Sequence, residues 1–258
     1  MPSLDSTRRF SDRVADYVRY RPGYPPALLE WLRADQGVSP SWLVADVGAG
    51  TGICSRMFLE AGHAVIAVEP NAAMRAAAVE ALGSSPRFRA VDAPAEATSL
   101  PGGSVDLVLA AQSFHWFEPD AVRREWARIL RPGGLALVVW NSRRTGGTSF
   151  LDGYEKLLRE HATDYAAVAE RYADEPAMRA WFGAGFRAAG SFENRQVLDL
   201  EGLRGRLLSS TYVPPPGHPG HQPMLEALQE LFDGTASAGH VTLEYRTRAY
   251  LGAVMGGP

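Results

Sequence analysis

Lysine is nearly missing from this chain. Lys156 stands alone among 258 residues, so arginine supplies almost all of the 26 basic side chains. That bias, with abundant alanine and glycine, reads as genome composition rather than as a binding feature. Against 29 acidic residues the net charge is −3, and no basic stripe of the kind nucleic-acid binders need is present. Nucleic-acid partners are not expected. Cysteine is equally scarce: Cys54 alone excludes an intrachain disulfide and a cysteine-rich metal site. No run approaches 18 uninterrupted apolar residues, so no transmembrane helix and no membrane partner are expected. The opening MPSLDSTRRF has charge but no apolar stretch behind it, which argues against a signal peptide and for a cytoplasmic protein. Repeats and interdomain linkers are absent too, so residues 1–258 are expected to form a single domain.

What is there begins with Asp46-Val47-Gly48-Ala49-Gly50-Thr51-Gly52, between an apolar run (42–47) and a helix-like run ending near Ala61. Glycine at every second position permits a tight turn and lets backbone amides approach a ligand without a Cβ in the way. From Trp42 strands and helices alternate: strands at 42–47, 64–68, about 87–91, 105–110 and 135–140, helices at about 52–61, 71–82 and 119–130. Continuous apolar strands alternating with helices mean a parallel sheet covered on both faces. Further helices are expected near 148–161, 164–173, 176–183, 202–210 and 222–233, with strands at 192–200 and 241–251 adding an antiparallel edge. Before the first strand, residues 10–21 and 25–36 read as helices. The first is either an amphipathic helix packing its aromatics on the core or a lid offering Tyr17, Tyr20 and Arg21 to a ligand. Residues 201–234 are expected to lie over the pocket mouth.

Open α/β sheets bind ligands outside the carboxyl ends of their strands. Those ends carry the glycine turn, Glu69, Asp92-Ala93 and the run Ala110 to Phe117. An acidic residue ending strand two, roughly 20 residues past the glycines, is placed to accept both hydroxyls of a ribose. A nicotinamide dinucleotide would need a third glycine where Ile53 stands. A Tyr-x-x-x-Lys pair is also missing around Lys156, which disfavours an NAD(P)-dependent oxidoreductase.

Asp46–Gly52, Val68-Glu69-Pro70-Asn71 with Met74, and Leu130-Arg131-Pro132-Gly133-Gly134 resemble, in the right order, motifs of class I S-adenosylmethionine-dependent methyltransferases. The likeness spans about 42–141. Phe10-Ser-Asp-Arg…Tyr20-Arg-Pro-Gly-Tyr24, Ser113-Phe-His-Trp-Phe117 and Tyr245-Arg-Thr are similar to a small-molecule branch (methyltransferase type 11) that includes trans-aconitate-methyltransferase-like proteins. The resemblance implies a Rossmann-like α/β fold: a seven-stranded, mostly parallel sheet with an antiparallel edge and a helical lid. It divides the domain into a lid (1–41), a cofactor-binding core (42–141) and C-terminal helices and antiparallel strands (142–258), with 201–234 as substrate cap.

It also implies roles. Glu69, beside Pro70, would hold the ribose hydroxyls. Asp92 would meet the adenine amine, with the Ala93 amide beside the ring and Met74 packed on it. Gly48, Ala49, Gly50, Gly52 and Ala110 would border the methionine moiety, with Asp46 near its ammonium; Tyr20 and Arg21 would approach the cofactor from the lid. The product would be S-adenosylhomocysteine.

A sulfonium methyl is already activated, so alignment of an in-line nucleophile supplies much of the rate. A base is needed only for a hydroxyl or protonated amine. His115 is the candidate, its ordinary pKa of about 6.5 suiting the task. It could equally be a structural histidine packed on Trp116; a carboxylate acceptor needs no base, and His115 or an arginine would then orient it. Tyr17, Phe114, Trp116 and Tyr212 are expected to wall the acceptor, with Ser210 and Thr211 lining it from the cap. His218 and His221 have metal-like spacing, but in a Pro/Gly loop they are expected to be exposed and no metal is assigned. Chemistries requiring Asn/Asp-Pro-Pro-aromatic or Pro-Cys after strand four, or several thiols, find no match. A small organic carboxylate, hydroxyl or amine acceptor remains, in a monomer or homodimer. A protein that binds S-adenosylmethionine without transferring its methyl group is the non-enzymatic alternative.

Overall fold

A computed structural model describes residues 14–163, 165 and 174–254. Residues 10–13 of the expected first helix, and the expected helix at 164–173 apart from Tyr165, lie outside the described residues. Two helices precede the sheet: α1 (Val14–Tyr20) and α2 (Pro26–Ala34). Pro26 is tolerated there because the first turn of a helix has no intrahelical use for its N–H. Then follow β1 (Leu43–Val47), α3 (Ile53–Glu60), β2 (Ala64–Val68), α4 (Ala72–Leu82), β3 (Phe88–Val91) and β4 (Val105–Ala111). A single 3-10 turn, Phe114–Trp116, leads to α5 (Pro119–Ile129) and β5 (Leu130–Arg143). The remainder comprises α6 (Ser149–His161), α7 (Glu175–Phe182), β6 (Phe186–Leu198), α8 (Leu200–Leu208), α9 (His221–Thr235) and β7 (Val241–Gly252).

The seven strands form one sheet in the order β3-β2-β1-β4-β5-β7-β6. β1 to β5 pair in parallel, and β7 runs antiparallel to both β5 and β6. Chain order reverses between β1 and β4, which is where such sheets open a crevice for ligands.

Alternation along each strand sorts the core into two layers. Ala45, Val47, Val68, Val108, Ala110, Val138 and Trp140 face α5 and α7, meeting Val122, Trp126, Met178 and Trp181. Val44, Val65, Leu107, Leu109, Leu137 and Val139 face α2 and α3, meeting Leu28, Leu32 and Phe58. A third cluster joins α6, α8 and α9 to β7 through Leu151, Tyr154, Leu203, Leu207, Leu228, Leu243 and Tyr245. From the segment it packs, Arg206, Thr211 and Tyr212 reach the cavity at the strand ends.

Two strands differ from their expected bounds. β5 begins at Leu130 rather than 135, because Val105 pairs with Leu130 while Leu107 pairs with Leu135. The Arg131–Gly134 segment is a bulge within the ladder, with Gly133 at φ +82°. β6 begins at Phe186 rather than 192. Small residues in its first half (Ala188, Ala189, Gly190) dilute the period-two signal that an edge strand otherwise shows. It ends at Leu198 because Asp199 caps α8, its Oδ1 accepting from the Gly202 amide at 2.7 Å.

Candidate active site

The turn after β1 runs through left-handed backbone at Gly48, Gly50 and Gly52, with φ of 68°, 57° and 81°. A Cβ on Gly48 would sit 2.6 Å from the Ser113 Cβ, so close packing as well as backbone angle requires glycine there. The Gly48 and Ala49 amides donate to the Val68 carbonyl at 2.8 and 3.2 Å. That ties the turn to the end of β2.

Glu69 completes the tie. Its Oε2 accepts from the Gly50 amide at 2.8 Å and its Oε1 from the Asn71 amide at 2.8 Å. Asn71 in turn caps α4 through the Met74 amide at 3.0 Å. Burial raises the Glu69 pKa, and those two amides with Arg75 act against it. Asp46 lies beneath the turn, 1% exposed. Its Oδ2 accepts from the Ser55 hydroxyl at 2.7 Å, and its Oδ1 is buried with no partner in the structure. Desolvation pushes its carboxyl up to about 7, against the Ser55 hydrogen bond and with help from the nearby Glu69 charge.

A cavity of about 450 Å³ opens over this turn and extends beneath the cap. Gly48, Ala49, Gly50, Glu69, Pro70 and Met74 line one end. Tyr17, Arg21, His115, Trp116 and Tyr212 also line it, as does Thr211. Three buried polar atoms on its wall, Thr51 Oγ1, Gln112 Oε1 and Arg21 Nε, have no protein partner. Gln112 is held at φ 60° at the end of β4, with its amide on the Val139 carbonyl and its Nε2 on the Asn141 carbonyl. Left-handed backbone in a non-glycine residue at a strand end is characteristic of binding loops. Such a lining suits a polar ligand of nucleoside size.

Other expected site residues fall outside the lining. Phe114 belongs to the core: it meets Trp126, Trp140 and Trp181 edge-on or tilted, 4.9–6.1 Å between ring centroids, and Phe117 takes its place on the cavity wall. The 3-10 turn causes the exchange by rotating Phe114 inward and His115 and Trp116 outward. Ala110 and Ala93 are core residues, and Ala111 lines the cavity instead. Gly52 packs its α-carbon toward Leu82 rather than toward the cavity. Asp92 turns to Arg75, its Oδ2 accepting at 2.8 Å with the side chain 67% exposed.

Tyr20 leaves the cavity altogether. It lies on Gly205 of α8, where a Cβ would be 2.1 Å from its ring, and donates to Glu201 at 3.1 Å. Arg19 pairs with the same Glu201 at 2.8 Å. Tyr20 thus latches α1 onto α8, while Tyr17 and Arg21 line the cavity. The Arg21 Nη2 donates to the Ser209 carbonyl at 2.8 Å and its guanidinium stacks on Tyr17.

His115 Nδ1 accepts from the Trp140 indole N–H at 3.4 Å, and its ring lies 4.9 Å from that of Trp116. Ser210 donates no side chain to the lining but accepts from Arg206. His218 and His221 engage their own loop, through the Gly220 amide and the Pro214 carbonyl. Among the described residues no cluster of His, Cys, Asp and Glu of metal-binding size occurs, and no helix is long and apolar enough to cross a membrane.

Sequence reasoning missed Arg143, Arg206, Tyr165 and Asn141, all on the cavity wall. Arginines so numerous in the chain carried no signal, and these four residues come from β5, the cap and the segment after α6.

The fold and the crevice define a Rossmann-like α/β protein with a nucleoside-sized site at the switch point of its sheet. Residues 45–138 match the methyltransferase domain model. Relatives include an uncharacterized methyltransferase of Mycobacterium tuberculosis, 40% identical over 139 residues (54% of each chain). A methyltransferase-like protein of Schizosaccharomyces pombe is 34% identical over 161 residues, 61% of this chain and 60% of that one. The chain thus spans about half the length of the curated relatives it matches. Among solved structures, a type II methyltransferase from Anaeromyxobacter dehalogenans superposes with a TM-score of 0.66 at 25% identity, covering 92% of this chain and 100% of that one. The phosphoethanolamine N-methyltransferase 2 of Haemonchus contortus, in complex with S-adenosyl-L-methionine, shares the fold with a TM-score of 0.57 at 18% identity, over 97% of this chain and 60% of that one. Residues 45–138 thus carry a methyltransferase domain, and over most of its length the chain is similar to methyltransferases of known structure.

Proposed function

We propose that this protein transfers the methyl group of S-adenosylmethionine to a small organic molecule, within a single domain whose residues 201–234 cap the acceptor. The carrying observation is the cavity itself, which is continuous from the Gly48–Gly50 turn and Glu69 to His115 and Tyr212. It offers donor and acceptor one shared, roofed space. The family's cofactor supplies an activated methyl group when bound. This chain's own part is to hold both molecules in line and to exclude water.

In this reading Glu69 takes the ribose hydroxyls with the lone pairs its two amide contacts leave. Met74 and Pro70 flank the adenine, and the Gly48–Gly50 backbone borders the methionine end. Asp46 supplies negative potential beneath the ammonium. His115 is a positioning residue rather than a base. Its Nδ1 accepts from Trp140, which selects the tautomer with the proton on Nε2. That nitrogen donates to the acceptor. The roof formed by the α1–α8 latch and the absence of a basic surface stripe support a small acceptor over a nucleic acid.

Calorimetry with S-adenosylmethionine and with NAD tests the donor, and tight NAD binding without the other defeats the proposal. Transfer of labelled methyl to a panel of small acids, phenols and amines tests the reaction. Binding of the donor with no transfer to any of them favours the non-catalytic alternative.

A further inference from the structure

Two arginines sit buried at the cap end of the cavity, and they differ in one respect. Arg143 is neutralised: its Nη2 pairs with Glu155 at 2.6 Å and also donates to the Tyr165 hydroxyl at 2.9 Å. Arg206, 6% exposed, has only neutral partners. Its Nε donates to the Tyr245 hydroxyl at 3.1 Å and its Nη1 to the Ser210 hydroxyl at 3.1 Å. Among the described residues no carboxylate pairs with Arg206 and nothing accepts from its Nη2, although the residue lines the cavity. Leaving a buried cation without a counter-charge is costly, so an arginine in this state is a site for an anion.

The surroundings deepen this imbalance. Arg21, also on the wall, has no acidic partner among the described residues: it holds the Ser209 carbonyl and Tyr17. Four arginines line the cavity (Arg21, Arg143, Arg206, Arg248), against one carboxylate, Glu69, at the opposite end. Burial alone would raise Tyr212, but the guanidiniums of Arg206, Arg21 and Arg143 hold its hydroxyl below the ordinary tyrosine value. The donor molecule brings a net positive charge of its own. A cationic donor beside an uncompensated arginine leaves the occupied cavity doubly in need of an anion, and a protonated amine would add to the excess.

We infer that the methyl acceptor is a small organic acid and that Arg206 anchors its carboxylate, with Tyr245 and Ser210 fixing the guanidinium. This rests on the methyltransferase reading. Arg206 is planar and already held on two of its nitrogens, so its remaining edge presents hydrogens to a carboxylate with little entropy left to lose. The planar edge of the guanidinium matches the two oxygens of a carboxylate, and the phenyl phosphate probe below tests an acceptor of higher charge.

The test uses the whole protein loaded with S-adenosylhomocysteine. Benzoate, malonate and succinate are titrated calorimetrically, beside their primary amides and phenyl phosphate. At least one carboxylate is expected to bind better than its amide, and Arg206→Gln to weaken it about thirtyfold or more, the loss expected when one partner of a buried charged pair is removed. S-adenosylhomocysteine affinity should be unchanged in that variant. Arg206→Lys, which keeps the charge, should recover part of the binding and guards against misfolding of the glutamine variant. Equal binding of acids and amides, phosphate binding above every carboxylate, no binding by any probe, or insensitivity to Arg206→Gln each overturns the inference. Failure of S-adenosylhomocysteine to bind strikes instead at the methyltransferase reading.

Discussion

The buried Asp46 makes a pH-dependent prediction that can be worked in numbers. Its folded-state value of about 7 lies above the ordinary 3.8. A carboxyl raised in this way favours folding most below its unfolded value, and that contribution is lost as pH rises through about 7. Roughly three units at about 1.4 kcal/mol each make the ionised group cost on the order of 4 kcal/mol well above pH 7. Near pH 5 the unfolded chain is ionised and the folded one protonated, so the cost is only about 1.5 kcal/mol. Asp46→Asn removes the titration while keeping an acceptor for the Ser55 hydroxyl. Its new amide replaces the unpartnered Oδ1 and costs about 1–3 kcal/mol at every pH. The difference between two pH values is therefore the clean observable. Urea unfolding without ligand should show the variant gaining about 2.5 kcal/mol on the wild type between about pH 5 and pH 8. In saturating S-adenosylmethionine that gain should shrink, because a cation above the turn stabilises the ionised carboxylate. A mutational effect that does not change with pH would refute the assignment of Asp46 as a destabilised, ligand-ready charge.

Gly48→Ala should abolish S-adenosylmethionine binding by calorimetry, since its Cβ would collide with Ser113 at a φ of 68°; retained affinity would mean the turn can move freely. Glu69→Gln should unfold at lower urea by about 1–3 kcal/mol, because both its oxygens accept backbone amides and one would face an NH2. Unchanged stability would show that those contacts are not made in solution. Gly205→Ala drives a methyl into the Tyr20 ring, so limited proteolysis should cut α1 sooner than in the wild type, with similar thermal stability of the sheet. His115→Ala should lower kcat with little change in donor affinity; equal turnover would remove His115 from the reaction.

Much of the donor end was legible because it is local. The glycine turn and Glu69 each follow a strand directly, Met74 sits in the first turn of the helix after β2, and alternating strands and helices bring successive strand ends together on one edge. Errors arose where one residue's direction matters. Phe114 and His115 are neighbours, and a single 3-10 turn decides which faces the core. The resemblance placed Asp92 at the adenine amine, and here Arg75, one helical turn into α4, bridges it to the Glu69 carbonyl.

Sequence alone thus determined the class of fold and the switch-point crevice, because these depend on periodicity and on turns of a few residues, while the donor came from the motif resemblance. Only the tertiary structure decided which side chains line the other end of the cavity. Arg21, Arg143, Arg206 and Tyr212 come from four separated segments and meet through the third hydrophobic cluster and the Tyr20–Gly205 contact. Whether a buried arginine finds a carboxylate, as Arg143 does, or only hydroxyls, as Arg206 does, depends on which distant side chains packing brings within about 3 Å. No pattern along the chain encodes that difference.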